Sequence, residues 1–168
     1  MDLTCILHGD FPSWQGLPPG VRLDDVLHAL QPVEKVEPPY VAGRIRRERV
    51  TEARRAEPPS RVRIWCAWEG DAVTAIECEG ALQEVNLAAI LQALGAAEVI
   101  ARDRRIVAGA RFTEHVYASR GLTLEVTEPF DGRAPFLNGF TLYVPADAGT
   151  YLAEIGSGPT PAPEPIGG

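Results

Sequence analysis

Leu23, Val26, Leu27 and Leu30 stand at i, i+3, i+4 and i+7, and Leu87, Ile90, Leu91 and Leu94 repeat that spacing 64 residues later. A 3.6-residue period gathers such a set onto one face of a helix, so each half of the chain must bury one amphipathic helix. The punctuation agrees. Pro18-Pro19-Gly20 precedes the first segment, Asp24 and Asp25 sit where the helix macrodipole favours acid, and Pro32 closes it. Asn86 is placed as N-cap of the second, with Gly95 just past its end. Similar residues follow each helix, Val41-Ala42-Gly43-Arg44 and Val107-Ala108-Gly109-Ala110-Arg111.

Strand-like stretches come next in both halves. The first half reads as strands near 44–51, 61–68 and 73–78, the last two joined by Glu69-Gly70-Asp71-Ala72 as a hairpin turn. In the second half the strands are 111–118, 122–126 and 140–144, with Ser119-Arg120-Gly121 as a turn and the Pro/Gly-rich stretch 129–139 as a longer connection. A short strand at 3–7 leads in. The unit is therefore helix, strand, strand, strand, and it occurs twice, which predicts a tandem duplication with halves at about 17–80 and 81–150. One helix on three strands is marginal alone. Joined, the halves give an α+β two-layer sandwich, an antiparallel sheet of six to seven strands with both helices on one face.

The length of 168 residues suits one such domain, expected over 1–155. Residues 156–168, Gly-Ser-Gly-Pro-Thr-Pro-Ala-Pro-Glu-Pro-Ile-Gly-Gly, hold no core and read as a flexible, polyproline-like tail. Apolar runs fall short of a membrane span, and Met1-Asp2-Leu3-Thr4-Cys5 lacks the basic start of a secretory signal, so a cytoplasmic protein that avoids membranes is expected.

A net charge of −7 has the wrong sign for a general nucleic-acid binder. The charge is uneven. Residues 44–63 carry eight arginines against three glutamates, +5, which leaves −12 elsewhere. That segment reads either as a docking patch for an acidic partner or as a solvated hairpin. Cys5, Cys66 and Cys78 are odd in number and lack metal-ligand spacing, and the three histidines are isolated, so neither a disulfide framework nor a metal site is expected.

The stretches Leu87-x-x-Ile90-Leu91-x-x-Leu94-Gly95, Val116-Tyr117-x-x-x-Gly121-Leu122-x-Leu124 and Leu142-Tyr143-Val144-Pro145 carry a resemblance. They resemble the helix-then-meander repeat of the β-lactamase inhibitor protein and small outer-membrane assembly lipoprotein superfamily. The same skeleton is similar to that of bacterial immunity-type proteins. The resemblance implies a non-enzymatic binder that offers the open face of its sheet to another protein.

Alternation assigns that face. Leu122, Leu124, Val126, Phe140, Leu142 and Val144 share one parity and point to the helices, which leaves Thr123, Glu125, Thr141 and Tyr143 outside. Placing Val116 inside puts His115 and Tyr117 outside. Placing Val62, Ile64, Cys66 and Trp68 inside puts Arg63, Trp65 and Glu69 outside, although a tight Gly70-Asp71 turn would reverse Trp65, so one of Trp65 and Trp68 belongs to the core. The candidate partner-binding residues are Trp65, Arg63, His115, Tyr117, Glu125 and Tyr143, because aromatic and Arg side chains anchor protein interfaces.

Catalytic signatures are absent from the sequence: no Gly-x-Ser-x-Gly elbow, phosphate loop, His-Glu-x-x-His or dinucleotide fingerprint occurs. Glu114 and His115 are adjacent on a strand and face opposite ways. The sequence thus predicts no enzyme and no cofactor, but an immunity-type inhibitor of another protein. The sign of its charge suits a basic toxin. The alternative is an adaptor in a larger bacterial assembly, tethered by the tail.

Overall fold

A computed structural model describes residues 3–43, 47–80, 85–107 and 109–155. The tail 156–168 and residues 44–46 of the Arg-rich segment lie outside the described residues, as do 81–84 between the two halves. Among the described residues the chain is α+β, with nine strands in one open, antiparallel sheet. Five strands form in the first half: β1 (Lys35–Val36), β2 (Tyr40–Gly43), β3 (Arg47–Arg55), β4 (Ser60–Ala67) and β5 (Val73–Glu79). The second half supplies β6 (Val99–Val107), β7 (Ala110–Tyr117), β8 (Leu122–Pro129) and β9 (Phe136–Tyr143).

Each half is a meander, and the meanders meet at their last strands. The order is β1-β3-β4-β5-β9-β8-β7-β6, with β2 also paired to β3. At the join Cys78 lies opposite Phe140. The hairpin registers coincide under a shift of 62 residues, which carries Val50–Trp65 onto Phe112–Thr127 and Val62–Cys78 onto Leu124–Phe140. The two longer helices keep the shift of 64 between their first residues, Leu23 and Leu87.

Helices α1 (Thr4–Leu7), α2 (Leu23–Ala29) and α3 (Leu87–Leu94) lie on one side of the sheet, with a 3₁₀ turn at Phe11–Ser13. Local chemistry sets their ends. The Asp25 carboxylate accepts from the Arg22 N–H at 3.1 Å, and the Asn86 side chain accepts from the Ala89 N–H at 3.1 Å. Gly95, with φ 78°, closes α3. The helices and the N-terminal segment pack on Val62, Ile64, Cys66, Ile76 and Cys78 of the first half and on Leu122, Leu124, Val126, Phe140 and Leu142 of the second. Phe11 meets Phe140 edge to face, ring centroids 5.1 Å apart, and the Trp14 indole N–H donates to the Gly121 carbonyl at 3.2 Å.

Several expectations are corrected. The sheet has nine described strands where six to seven were expected, because two edge strands after α2 and the charge-dense β6 carry no clean alternation. Residues 4–7 form a helical turn, not a strand, and the expected long connection 129–139 gives up its end to β9 from Phe136. Trp68, placed inside by alternation, lies beyond the end of β4 and is exposed.

The second face of the sheet is covered in part. A helical turn α4 (Ala148–Thr150), capped by the Asp147 carboxylate on the Thr150 N–H at 3.0 Å, runs into a π-turn over Tyr151–Ile155. Tyr151 and Ile155 pack there on Val116, Ala118 and Tyr143, a small core separate from the helical layer.

Candidate protein-binding face

The face opposite the helices is built by side-chain parity. On β3 it takes Glu48, Val50 and Glu52, on β4 Arg61, Arg63 and Trp65, and on β5 Ala75, Glu77 and Glu79. Cross-strand pairing then places bases opposite acids: Arg63 lies between Glu52 on β3 and Glu77 on β5, and Arg61 is opposite Glu79. Opposite charges in direct register attract, and the side chains complete the lattice.

Arg63 donates to Glu77 at 3.1 Å and to Glu79 at 2.6 Å. Arg61 donates to Glu52 and approaches Glu79 at 3.6 Å. Glu52 also accepts from the Tyr40 hydroxyl at 3.4 Å, and the Thr74 hydroxyl donates to Glu48 at 2.7 Å. Glu52 and Glu77 are buried, which a lone carboxylate would not tolerate. The hydrogen bond from Arg61 holds the Glu52 carboxyl below its ordinary range against the opposing pull of burial.

The same partners raise Arg61 above its ordinary value, so both stay charged at neutral pH.

Trp65 is anchored in this lattice. Its indole N–H donates to Glu77 at 2.8 Å, and its ring packs on Val50 and Ala75. Arg61 and Glu79 are left half-exposed, 45% and 38% by side chain, with Arg63 beneath them at 22%. Such a surface presents charged heads of both signs, fixed from below by a buried aromatic.

The six sequence candidates divide between the two faces. Arg63, Trp65, Glu125 and Tyr143 lie on the open side, as alternation requires, and Arg63 and Trp65 meet at Glu77. Tyr143, however, is fully buried beneath Tyr151, with ring centroids 4.9 Å apart. Its hydroxyl donates to the Leu122 carbonyl at 3.1 Å and shares a hydrogen bond with Thr123 at 3.0 Å, and burial pushes its pKa up. Glu125, partly buried, lies opposite Glu114 on β7 and Gly139 on β9.

His115 and Tyr117 are on the helix side, the reverse of the expected parity. Val116 pairs with Thr123 and joins Tyr143 and Tyr151 on the open side, which turns its neighbours over. Tyr117 enters the main core and donates to the Gly95 carbonyl at 3.2 Å. Burial raises its pKa and lowers that of half-buried His115.

Glu77, Glu79, Glu52 and Arg61 were not among the candidates. Their signal was legible: Arg61, Arg63 and Trp65 alternate along one strand, and Ala75, Glu77 and Glu79 along the next. Burial also pushes up both core thiols, Cys78 to about 12. Among the described residues no group of three or more His, Cys, Asp or Glu side chains is placed to hold a metal ion, and no helix is long and apolar enough to cross a membrane.

The chain matches no protein-family model, and no curated protein and no solved structure matches it.

Proposed function

We propose that this chain is a non-enzymatic protein-binding domain of the immunity type, which neutralises a partner protein through the β3–β5 part of its open face. The observation that carries this reading is the fixed Arg61–Glu52 and Arg63–Glu77–Glu79 lattice over Trp65. Charged groups held in place before binding lose little side-chain entropy on association, and their alternating signs select a partner of complementary pattern. The net charge of −7 favours a basic partner by steering. The meander registers that coincide under a 62-residue shift support an origin by tandem duplication.

The test is capture of partners from the native host on the full chain, followed by assay of the captured protein's own activity with and without saturating chain. Stoichiometric loss of that activity is expected. The variant Glu79→Ala, changed at a half-exposed head and leaving the Arg61–Glu52 and Arg63–Glu77 pairs in place, should weaken association at least about tenfold, as a lost interface anchor does, without lowering the unfolding midpoint by more than a surface change would. A captured partner that stays fully active, or that binds the variant equally well, overturns the reading.

A further inference from the structure

We propose that this chain forms a two-fold dimer by pairing the far end of its second meander with the same end of a second copy, each copy seating its Phe130 ring in the other's aromatic groove. The groove is a cavity of about 560 Å³ on the open side of β7–β9. Phe112, Thr127 and Phe136 form its floor as one cross-strand row, and Phe130 stands at its rim, 52% exposed. An exposed ring beside a concave aromatic site is the kind of apolar surface that an interface covers.

The turn between β8 and β9 presents that ring. The Phe130 N–H donates to the Gly109 carbonyl at 3.0 Å, and the Asp131 carboxylate accepts from the Arg133 N–H at 3.2 Å. The Arg111 guanidinium lies over the Phe130 ring, 5.9 Å from its centroid, and Glu128 holds that guanidinium at 3.6 Å. The ring is fixed before association, so docking costs it little entropy.

Charge selects the occupant. The charged residues that line the groove are Asp131 and Arg133, and the Arg111 that meets Phe130 is matched by Glu128. Among the described residues this end is therefore neutral on a chain of net charge −7, so two copies repel each other least here. An acid and a base side by side are complementary to their own copy turned about a two-fold axis, with Arg133 facing the second copy's Asp131 and Asp131 its Arg133. A partner of one sign would satisfy one of these groups and oppose the other. Their internal contact does not exhaust them. Arg133 gives Asp131 its Nε–H at 2.8 Å, which leaves both Nη groups to donate, and each Asp131 carboxylate oxygen keeps a further lone pair. The two side chains are 75% and 54% exposed, within reach of a second copy.

The test is analytical sedimentation of the full chain over a wide range of concentration, unaltered and as Phe130→Ser, Asp131→Arg and Arg133→Asp. All three positions are exposed, so the buried core is untouched. The mass of the unaltered chain should rise with concentration and level off at twice that of one chain, as a closed two-fold contact requires. Phe130→Ser should weaken the dimer at least about tenfold. Asp131→Arg and Arg133→Asp should each weaken it at least about tenfold by setting like charges against each other. An equal mixture of these two should recover the dimer with one copy of each, because the acids of one then meet the bases of the other at both contacts. A chain that stays single at every concentration overturns the proposal and leaves the groove to a different molecule. So does a mass that climbs past twice that of one chain, or a Phe130→Ser variant that pairs as tightly as the unaltered chain. Charge variants that pair unimpaired, or a mixture that fails to recover the dimer, also overturn it. The groove and the β3–β5 lattice share no residue, so partner capture should persist in Phe130→Ser and each reading stands or falls by its own experiment.

Discussion

Trp65 donates its indole N–H to Glu77 at 2.8 Å although its direct cross-strand partner is Ala75; Glu77 faces Arg63. One carboxylate therefore serves an aromatic donor and a guanidinium at once, and small Ala75 leaves space for the Trp65 ring. Glu77→Ala withdraws the acceptor from the buried Trp65 N–H and one of the two carboxylates to which partly buried Arg63 donates, and should destabilise the fold by about 2–4 kcal/mol. Glu77→Gln keeps an acceptor oxygen and loses the charge, so its cost should be smaller, about 1–2 kcal/mol. Urea unfolding of both variants checks this order, and equal midpoints would show that the shared contact contributes little.

The Tyr151 ring is what keeps the C-terminal turn on the sheet. It is fully buried on Tyr143, and few other apolar side chains of the described segment reach that small core. Tyr151→Ala should cost about 3–4 kcal/mol, by analogy with large aromatic truncations, and should speed amide exchange at Val116 and Tyr143 far more than in β4. Tyr143→Phe removes only the hydroxyl shared by Thr123 and the Leu122 carbonyl, for about 1–2 kcal/mol, and should leave exchange in the C-terminal turn unchanged.

The sequence made the central strands legible and the outer ones obscure, for a physical reason. Val62-Arg63-Ile64 and Leu124-Glu125-Val126 bury their apolar side chains under the helices and turn a charged residue to the other side, so burial enforces a clean alternation. Around Val116 both sides are covered, by the helical layer against Tyr117 and by Tyr151 against Val116, and alternation has no apolar side to choose. Strand β6 reads Val-Ile-Ala-Arg-Asp-Arg-Arg-Ile-Val and lies at a sheet edge, where charge is the expected protection and hides the strand pattern. The ion lattice needed the register of three strands before its acids and bases could be matched.

Gly121 and Gly132 separate two costs of replacing glycine. Both have positive φ, 60° and 84°. A Cβ at Gly132 meets nothing within 4 Å, so Gly132→Ala should cost only the left-handed penalty of about 1 kcal/mol. At Gly121 the Cβ would run into the Tyr143 carbonyl oxygen, a backbone atom that cannot swing aside. The Gly121 carbonyl also accepts from the Tyr143 N–H at 3.0 Å and the Trp14 indole, so a shift there loosens three elements. Gly121→Ala should therefore cost more than about 3 kcal/mol, or upwards of about 6 °C in melting temperature, where Gly132→Ala costs about 2–4 °C.

His115 should make the fold sensitive to mild acid. It lies half-buried on the helix side opposite Leu124, and burial lowers its pKa, with Glu128 pulling weakly the other way. Glu128 is itself engaged by Arg111 at 3.6 Å, which limits that pull. The folded state thus takes up a proton less readily than the unfolded state does, so the unfolded state binds more protons across this range. The stability His115 contributes is complete above its unfolded pKa of about 6.5 and is lost as pH falls from there towards the lower folded value. His115→Gln keeps a polar side chain of similar size and cannot titrate. His8 and His28 are common to both proteins and cancel in the comparison. Between pH 7.5 and pH 5 the unaltered chain should lose more of its urea midpoint than the variant does, and parallel losses would remove His115 as the source.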